Sequence, residues 1–151
     1  MIRIYTDGAA QGNPGPGGYG VILKFKDAVK ELSEGFRLTT NNRMELLAVI
    51  KALQAIKKEG IPVMIYSDSE YVINAIEKGW LWNWQKKNFK DKANPDLWQQ
   101  YIPLHQKFQP RFTWVKGHAG HAENERCDQL AVQAARGARL LIDDAYERSK
   151  M

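Results

Sequence analysis

Cysteine is nearly absent: Cys127 is the only one in 151 residues, so no disulfide can form within the chain and a reducing compartment is expected. Long hydrophobic runs are absent too. No stretch approaches the roughly 18 uninterrupted apolar residues of a bilayer-spanning helix. The first residues, Met1-Ile2-Arg3-Ile4-Tyr5-Thr6-Asp7, lack both the apolar core of a secretory signal and the Arg/Ser-rich pattern of a transit peptide. A cytoplasmic protein with no membrane contact is expected. Internal repeats and low-complexity tracts are missing, and the length suits one compact domain acting as a monomer.

What is present is an apolar fraction of 44%, enough for a folded core, and a basic balance. Twenty-two Lys and Arg against seventeen Asp and Glu give a net charge of +5, which favours a polyanionic partner.

Residues 2–7 alternate in the manner of a strand that ends at Asp7. Residues 6–20, T-D-G-A-A-Q-G-N-P-G-P-G-G-Y-G, then hold six glycines and two prolines, which reads as a tight turn. This is no nucleotide-phosphate loop, because G-K-[ST] is missing and a strand rather than a helix follows. Residues 19–26 and 29–38 form two further β-like runs, giving an antiparallel meander. The period then changes: Leu46, Val49, Ile50, Leu53 and Ile56 make one apolar stripe across a helix over residues 43–59. Val63-Met64-Ile65-Tyr66-Ser67 is apolar and short, suiting a buried parallel strand. Helices follow from Ser69 to about Glu77 and from Asn94, as N-cap, past Leu97, Tyr101 and Phe108, with Pro103 expected to kink the latter. A last strand at 111–116 and a helix at 124–136 complete an α/β arrangement: a mixed five-stranded sheet, three strands antiparallel and two parallel, flanked by helices.

In such a sheet Asp7 and Asp68 end neighbouring strands and share one rim. Glu45 and Asp128 sit in the first turns of two helices. Each acid has an ordinary reading. Asp7-Gly8 is a turn, Asn42 with Glu45 resembles a capping box, Asp68 caps a helix and Asp128 is a solvated charge. Brought together, the four would repel by several kcal/mol unless cations lay between them, and oxygen-only ligands suit Mg²⁺ or Mn²⁺. Residues 80–92, W-L-W-N-W-Q-K-K-N-F-K-D-K, interleave aromatics with lysines. That is either a nucleic-acid surface or core tryptophans beside a solvated face.

The segments Y-T-D-G-A-A-Q-G-N-P-G-P-G-G-Y-G, T-T-N-N-R-M-E-L, S-D-S-E-Y-V and W-V-K-G-H-A-G-H-A-E-N-E-R-C-D resemble, in order and separation, bacterial ribonuclease H type 1, from residue 2 to about 136. The resemblance implies a catalytic domain over 1–136 and a tail over 137–151, which either frays or docks its Leu140-Leu141-Ile142 cluster. It implies endonucleolytic hydrolysis of the RNA strand of RNA/DNA hybrids with two Mg²⁺ ions, Mn²⁺ being an alternative, giving 5′-phosphate and 3′-hydroxyl ends. Asp7, Glu45, Asp68 and Asp128 match its metal-binding acids, His118 its auxiliary histidine, and Glu125 an acid often near that histidine. Asn13 and Asn41 match residues that read the RNA, Thr40 and Asn83 the DNA-phosphate pocket, and Trp80, Trp84, Lys86, Lys87 and Lys90 the basic protrusion. Leu38 departs from the pattern, standing where the best-known bacterial members carry arginine. A binding module without cleavage would gain affinity by losing the acids, and another metal-dependent nuclease or integrase on the same sheet would lack the T-T-N-N-R-M-E-L and V-K-G-H-A-G-H segments.

Overall fold

The computed structural model describes residues 1–116 and 122–151. Three strands, β1 (Ile2–Ala10), β2 (Gly15–Phe25) and β3 (Ala28–Thr39), form the antiparallel meander, and β4 (Val63–Ser67) and β5 (Arg111–Trp114) join it in parallel. The strand order β3-β2-β1-β4-β5 is the mixed sheet the sequence predicts. The helices are α1 (Asn41–Gln54), α2 (Glu70–Glu77), α3 (Trp80–Lys86), α4 (Pro95–Phe108), α5 (Ala122–Ala135) and α6 (Asp144–Ser149).

The glycine-rich stretch is mostly strand, not turn. β1 runs on to Ala10 and β2 begins at Gly15, with Asp7 opposite Gly20 and Ala10 opposite Gly17; only residues 11–14 reverse the chain, and the Asn13–Pro14 bond is cis. Gly20 lets helix α5 come down onto the sheet, since a Cβ there would overlap the carbonyl oxygen of Cys127. A strand without side chains hides its period of two, so its extended conformation is legible only from its neighbours.

Helix α1 lies between the sheet and α4. Met44, Leu46, Leu47, Ala48, Val49, Ile50, Ala52 and Leu53 are all buried, the mark of a helix covered on nearly every side. Its N-cap is Thr40, whose hydroxyl accepts from the Arg43 amide at 3.2 Å; the Asn42–Glu45 capping box is not used. The helix ends at Gln54, earlier than the apolar stripe suggests. Asn94 precedes α4 in the left-handed region at φ 61° without a side-chain cap; its Oδ1 instead accepts from Arg43 Nη1 at 3.3 Å, and its NH₂ donates to the Tyr71 hydroxyl at 3.0 Å.

The tail returns to the body. Leu141 pairs with β3, its amide donating to the Gly35 carbonyl at 2.8 Å and its carbonyl accepting from the Arg37 amide at 2.9 Å. Leu141 and Ile142 themselves remain 44% and 47% exposed. The side chains that sink in are Asp143 and Tyr146.

Candidate active site

Strand geometry sets the first pair of acids. Tyr5 stands opposite Tyr66 in the parallel β1–β4 register, with the two rings stacked at 4.8 Å. Two residues further along each chain are Asp7 and Asp68. Asp7, 4% exposed, is held locally by the Gly8 amide, which donates to its Oδ1 at 2.8 Å.

The backbone about Asp68 is tied on both sides. The Ser69 amide donates to Ser67 Oγ at 3.0 Å, the Ser69 hydroxyl caps α2 through the Val72 amide at 3.2 Å, and the Trp114 indole N–H reaches the Asp68 carbonyl at 3.3 Å. Sequence reasoning passes over Ser67 and Trp114. A serine on either side of an acid at a strand end is a signal that points to such ties.

Glu45 comes in from the first turns of α1. Carboxylate oxygens of Asp7, Glu45 and Asp68 lie within 4.8 Å of one another. Asp128, on α5, lines the same open hollow as these three, together with Gly8 and Asn41. Burial first, and then the charges of Asp7 and Asp68, push the Glu45 carboxyl well above the ordinary glutamate range; a hydrogen bond to Asp7 adds to this and one to the Gly8 backbone opposes it. Its Oε2 is buried and has no hydrogen-bond partner among the described residues. A buried acceptor at the focus of converging carboxylates is unfavourable unless a cation meets it. The donor set is all oxygen, so these residues fit a hard divalent ion such as Mg²⁺ or Mn²⁺.

The two asparagines meet at the same rim. Asn13 Oδ1 accepts from the Asn41 amide at 3.2 Å, and Asn41 Oδ1 accepts from the Ala10 amide at 2.6 Å. Both side chains use their carbonyl ends internally. Among the described residues their NH₂ groups have no hydrogen-bond partner.

In the 80–92 segment Asn83, Lys86, Lys87 and Lys90 are exposed. Trp80 is 43% exposed, with the Lys78 ammonium 5.4 Å from its ring centre. Trp84 is half-buried and packs edge-on against Trp98 at 6.0 Å, so of the two tryptophans it is the one rooted in the core. Cys127 is buried, its thiol donating to the Tyr5 carbonyl at 3.2 Å, and burial pushes that thiol up to about 12; it packs rather than reacts. Glu125 is exposed on α5. His118 lies outside the described residues.

A buried charge that sequence reasoning misses is Arg43, in the first turn of α1 and 3% exposed. Burial works against its charge, but its hydrogen bonds to Asp96 and Asp143 outweigh that and raise the guanidinium above its usual range. Its place in T-T-N-N-R-M-E-L, one turn from the N-cap and flanked by Asn42 and Met44, carries no local hint of burial.

Residues 1–136 match the RNase H family model. The ribonuclease H of Desulforamulus reducens is 57% identical over 147 residues, spanning 94% of this chain and 92% of that one. That of Syntrophus aciditrophicus is 54% identical over 151 residues, spanning 97% and 87%. Among solved structures, LC9-RNase H1, a type 1 RNase H with the type 2 active-site motif, superposes with a TM-score of 0.80 at 32% identity, covering 98% of this chain and 79% of that one. LC11-RNase H1 in complex with an RNA/DNA hybrid gives 0.69 at 26% identity, covering 90% and 97%.

A mixed sheet that delivers acids from its parallel strands to one rim, in a chain with these relatives, defines a nuclease of the α/β class. More narrowly, the chain belongs to the RNase H family and is a ribonuclease H enzyme. Among the described residues no helix is long and apolar enough to cross a membrane.

Proposed function

We propose that this protein is an endonuclease that hydrolyses the RNA strand of RNA/DNA hybrids, with Asp7, Glu45, Asp68 and Asp128 holding two Mg²⁺ ions and the products carrying 5′-phosphate and 3′-hydroxyl ends. The observation that carries the reading is the convergence of three carboxylates within 4.8 Å about a Glu45 oxygen that is buried without a hydrogen-bond partner among the described residues. Divalent cations held there supply Lewis acidity to the attacking water and to the departing 3′-oxygen.

The chain's own residues aim and align. Asp7 sits on a strand with one carboxylate oxygen fixed by the Gly8 amide, so its other oxygen is directed without entropic cost at the moment of reaction. Asp68 shares that rigidity through the ties to Ser67, Ser69 and Trp114. Asn13 and Asn41 present NH₂ groups towards the wide minor groove of a hybrid, where 2′-hydroxyls accept. Thr40 uses an oxygen lone pair to cap α1, leaving its O–H to donate to a DNA phosphate beside Asn83. Trp80 offers an exposed indole for a deoxyribose, with Trp84 anchoring the protrusion behind it, and Lys86, Lys87 and Lys90 supply positive charge along the backbone. His118, by the family resemblance, relays a proton or assists product release.

The test is incubation with an end-labelled RNA/DNA hybrid, with duplex RNA and duplex DNA as controls, and with and without a chelator. Cleavage confined to the RNA of the hybrid, abolished by chelation, with fragments that accept a phosphate at the 5′ end only after phosphatase treatment, is expected. Equal cutting of duplex RNA, or cutting in chelator, would overturn the reading.

A further inference from the structure

The family model stops at residue 136, yet the tail over residues 137–151 is fastened to the part of the fold that carries the substrate-facing residues. Asp143 is 8% exposed. Its Oδ2 accepts from the Thr39 hydroxyl and from Arg43 Nε, each at 2.7 Å, and its Oδ1 accepts from Arg43 Nη2 at 2.8 Å. Arg43 spends its remaining donors on Asp96, at 2.9 and 2.7 Å, and on Asn94 Oδ1 at 3.3 Å. All five guanidinium N–H groups are thereby engaged. A nearly buried cation of this kind is tolerated because two carboxylates and full hydrogen bonding compensate it, and withdrawal of one carboxylate leaves charge unmatched.

The two residues that Asp143 grips bracket Thr40, Asn41 and Asn42. Thr39, fully buried, ends β3, and Arg43 supplies the amide that Thr40 caps. Two further contacts join the tail to β3: the Leu141 pairing, and a bidentate pair between Arg37 and Glu147 at 2.9 and 2.8 Å, which is exposed and contributes little to holding the tail. Tyr146 closes over the Arg43 guanidinium with its ring centre 5.8 Å away. Glu45, by contrast, is located by the close approach of α1 to Gly8.

We propose that the tail belongs to the catalytic unit and that Asp143 is a positioning residue for hybrid binding, acting through Thr39 and Arg43 to fix the backbone that presents Thr40 and Asn41. This rests on the reading of those two residues as substrate contacts. The bracketed segment lines the edge of the acid hollow through Asn41 and Asn42 but supplies none of the four carboxylates, so loosening it weakens ground-state binding and leaves the chemical step largely intact.

Steady-state cleavage of a labelled hybrid in Mg²⁺ by Asp143→Asn, a nearly isosteric change that removes one charge, separates this from simple stabilisation. KM is expected to rise roughly tenfold with kcat within about twofold, the pattern of lost binding without lost chemistry. The Mg²⁺ midpoint is expected to stay unchanged. Glu147→Gln, which breaks only the exposed outer pair, is expected to change neither constant. A merely structural role would lower kcat, through a smaller folded fraction, at constant KM; that result, or no change in either constant, overturns the proposal. Should Asp143→Asn fail to fold by circular dichroism at the assay temperature, Thr39→Val removes a single hydroxyl from the same carboxylate. Its KM is then expected to rise about threefold, and an unchanged KM overturns the proposal. Failure of the wild-type enzyme to cleave the hybrid would instead sink the functional reading itself.

Discussion

Gly8 of β1 lies flat against Glu45 of α1: a Cβ on Gly8 would overlap the Glu45 amide nitrogen and the Met44 carbonyl carbon. The helix and the strand therefore pack backbone to backbone with no room for a side chain between them, and this closeness brings the Glu45 and Asp7 carboxylates together. Gly8→Ala is expected to force α1 away from the sheet at a cost of about 1–3 kcal/mol, at the upper end because backbone rather than side chain must yield. Cleavage is expected to fall more steeply than stability, since the acids separate. Thermal unfolding and kcat measured on one preparation check this; full activity with an unchanged melting temperature would show that α1 has freedom to move.

Asp7→Asn removes a buried charge from a cluster whose oxygens lie within 4.8 Å of one another. The consequences for activity and for stability are opposite. Cleavage is expected to fall on the order of 10⁴-fold, the scale of losing an essential member of a catalytic group, while hybrid binding persists. Stability of the metal-free protein is expected to rise by up to about 3 kcal/mol, because full like charges at this spacing repel by roughly that much at an effective dielectric near 20, and the raised Glu45 carboxyl already relieves part of the repulsion. Calorimetry in chelator, beside an electrophoretic binding assay, tests both. A lower melting temperature for the variant would mean that the Asp7 contacts outweigh the repulsion.

The parts of this architecture that are legible in the sequence are those whose signal is local. The alternation of residues 2–7, the apolar stripe of α1 and the all-apolar run of β4 announce their elements, and two acids at the ends of neighbouring parallel strands share a rim by topology alone. The unreadable parts depend on distant partners. Asp143 sits beside a conspicuous Leu-Leu-Ile cluster, yet Leu141 and Ile142 are exposed and the aspartate is buried, since its partner Arg43 lies 100 positions earlier. Trp80 and Trp84, one turn apart, look equivalent as letters; only the packing of Trp98 under one of them distinguishes anchor from exposed surface. The extent of β1 and β2 into the glycines is likewise a property of their mutual register.

His105 provides a pH handle remote from the acids. It stands in α4 with its Nδ1 2.8 Å from the Tyr101 hydroxyl and its ring edge-on to Trp82 at 5.0 Å. Burial lowers its pKa below the ordinary value, with Glu77 pulling weakly the other way. A group whose folded pKa is depressed contributes stability above its unfolded pKa of about 6.5, and that contribution is lost as pH falls through the folded value. The His105 contribution to the melting temperature is therefore expected to decline from about pH 6.5 downwards, before ordinary carboxylates titrate, while the raised Glu45 carboxyl pulls the other way in the metal-free protein. His105→Gln is expected to flatten the upper part of that decline. Identical profiles for the two proteins would remove His105 from the account.

Lys86, Lys87 and Lys90 are all exposed, on and just beyond the helix that carries Trp80. Surface lysines of this kind contribute little to folding, so the triple alanine variant is expected to melt close to the wild type. Their effect belongs to binding. Each lysine that neutralises a phosphate releases condensed counterions, and its removal flattens the plot of log affinity against log salt by about 0.7–0.9. Loss of two or three such contacts is expected to reduce the slope by about 2 and to weaken binding most at low salt, with kcat at saturating hybrid unchanged. Fluorescence anisotropy of a labelled hybrid in chelator, titrated at several salt concentrations, reads the slope directly. A slope equal to that of the wild type would show that the protrusion does not touch the backbone, and that the charge steering the hybrid lies elsewhere on the molecule.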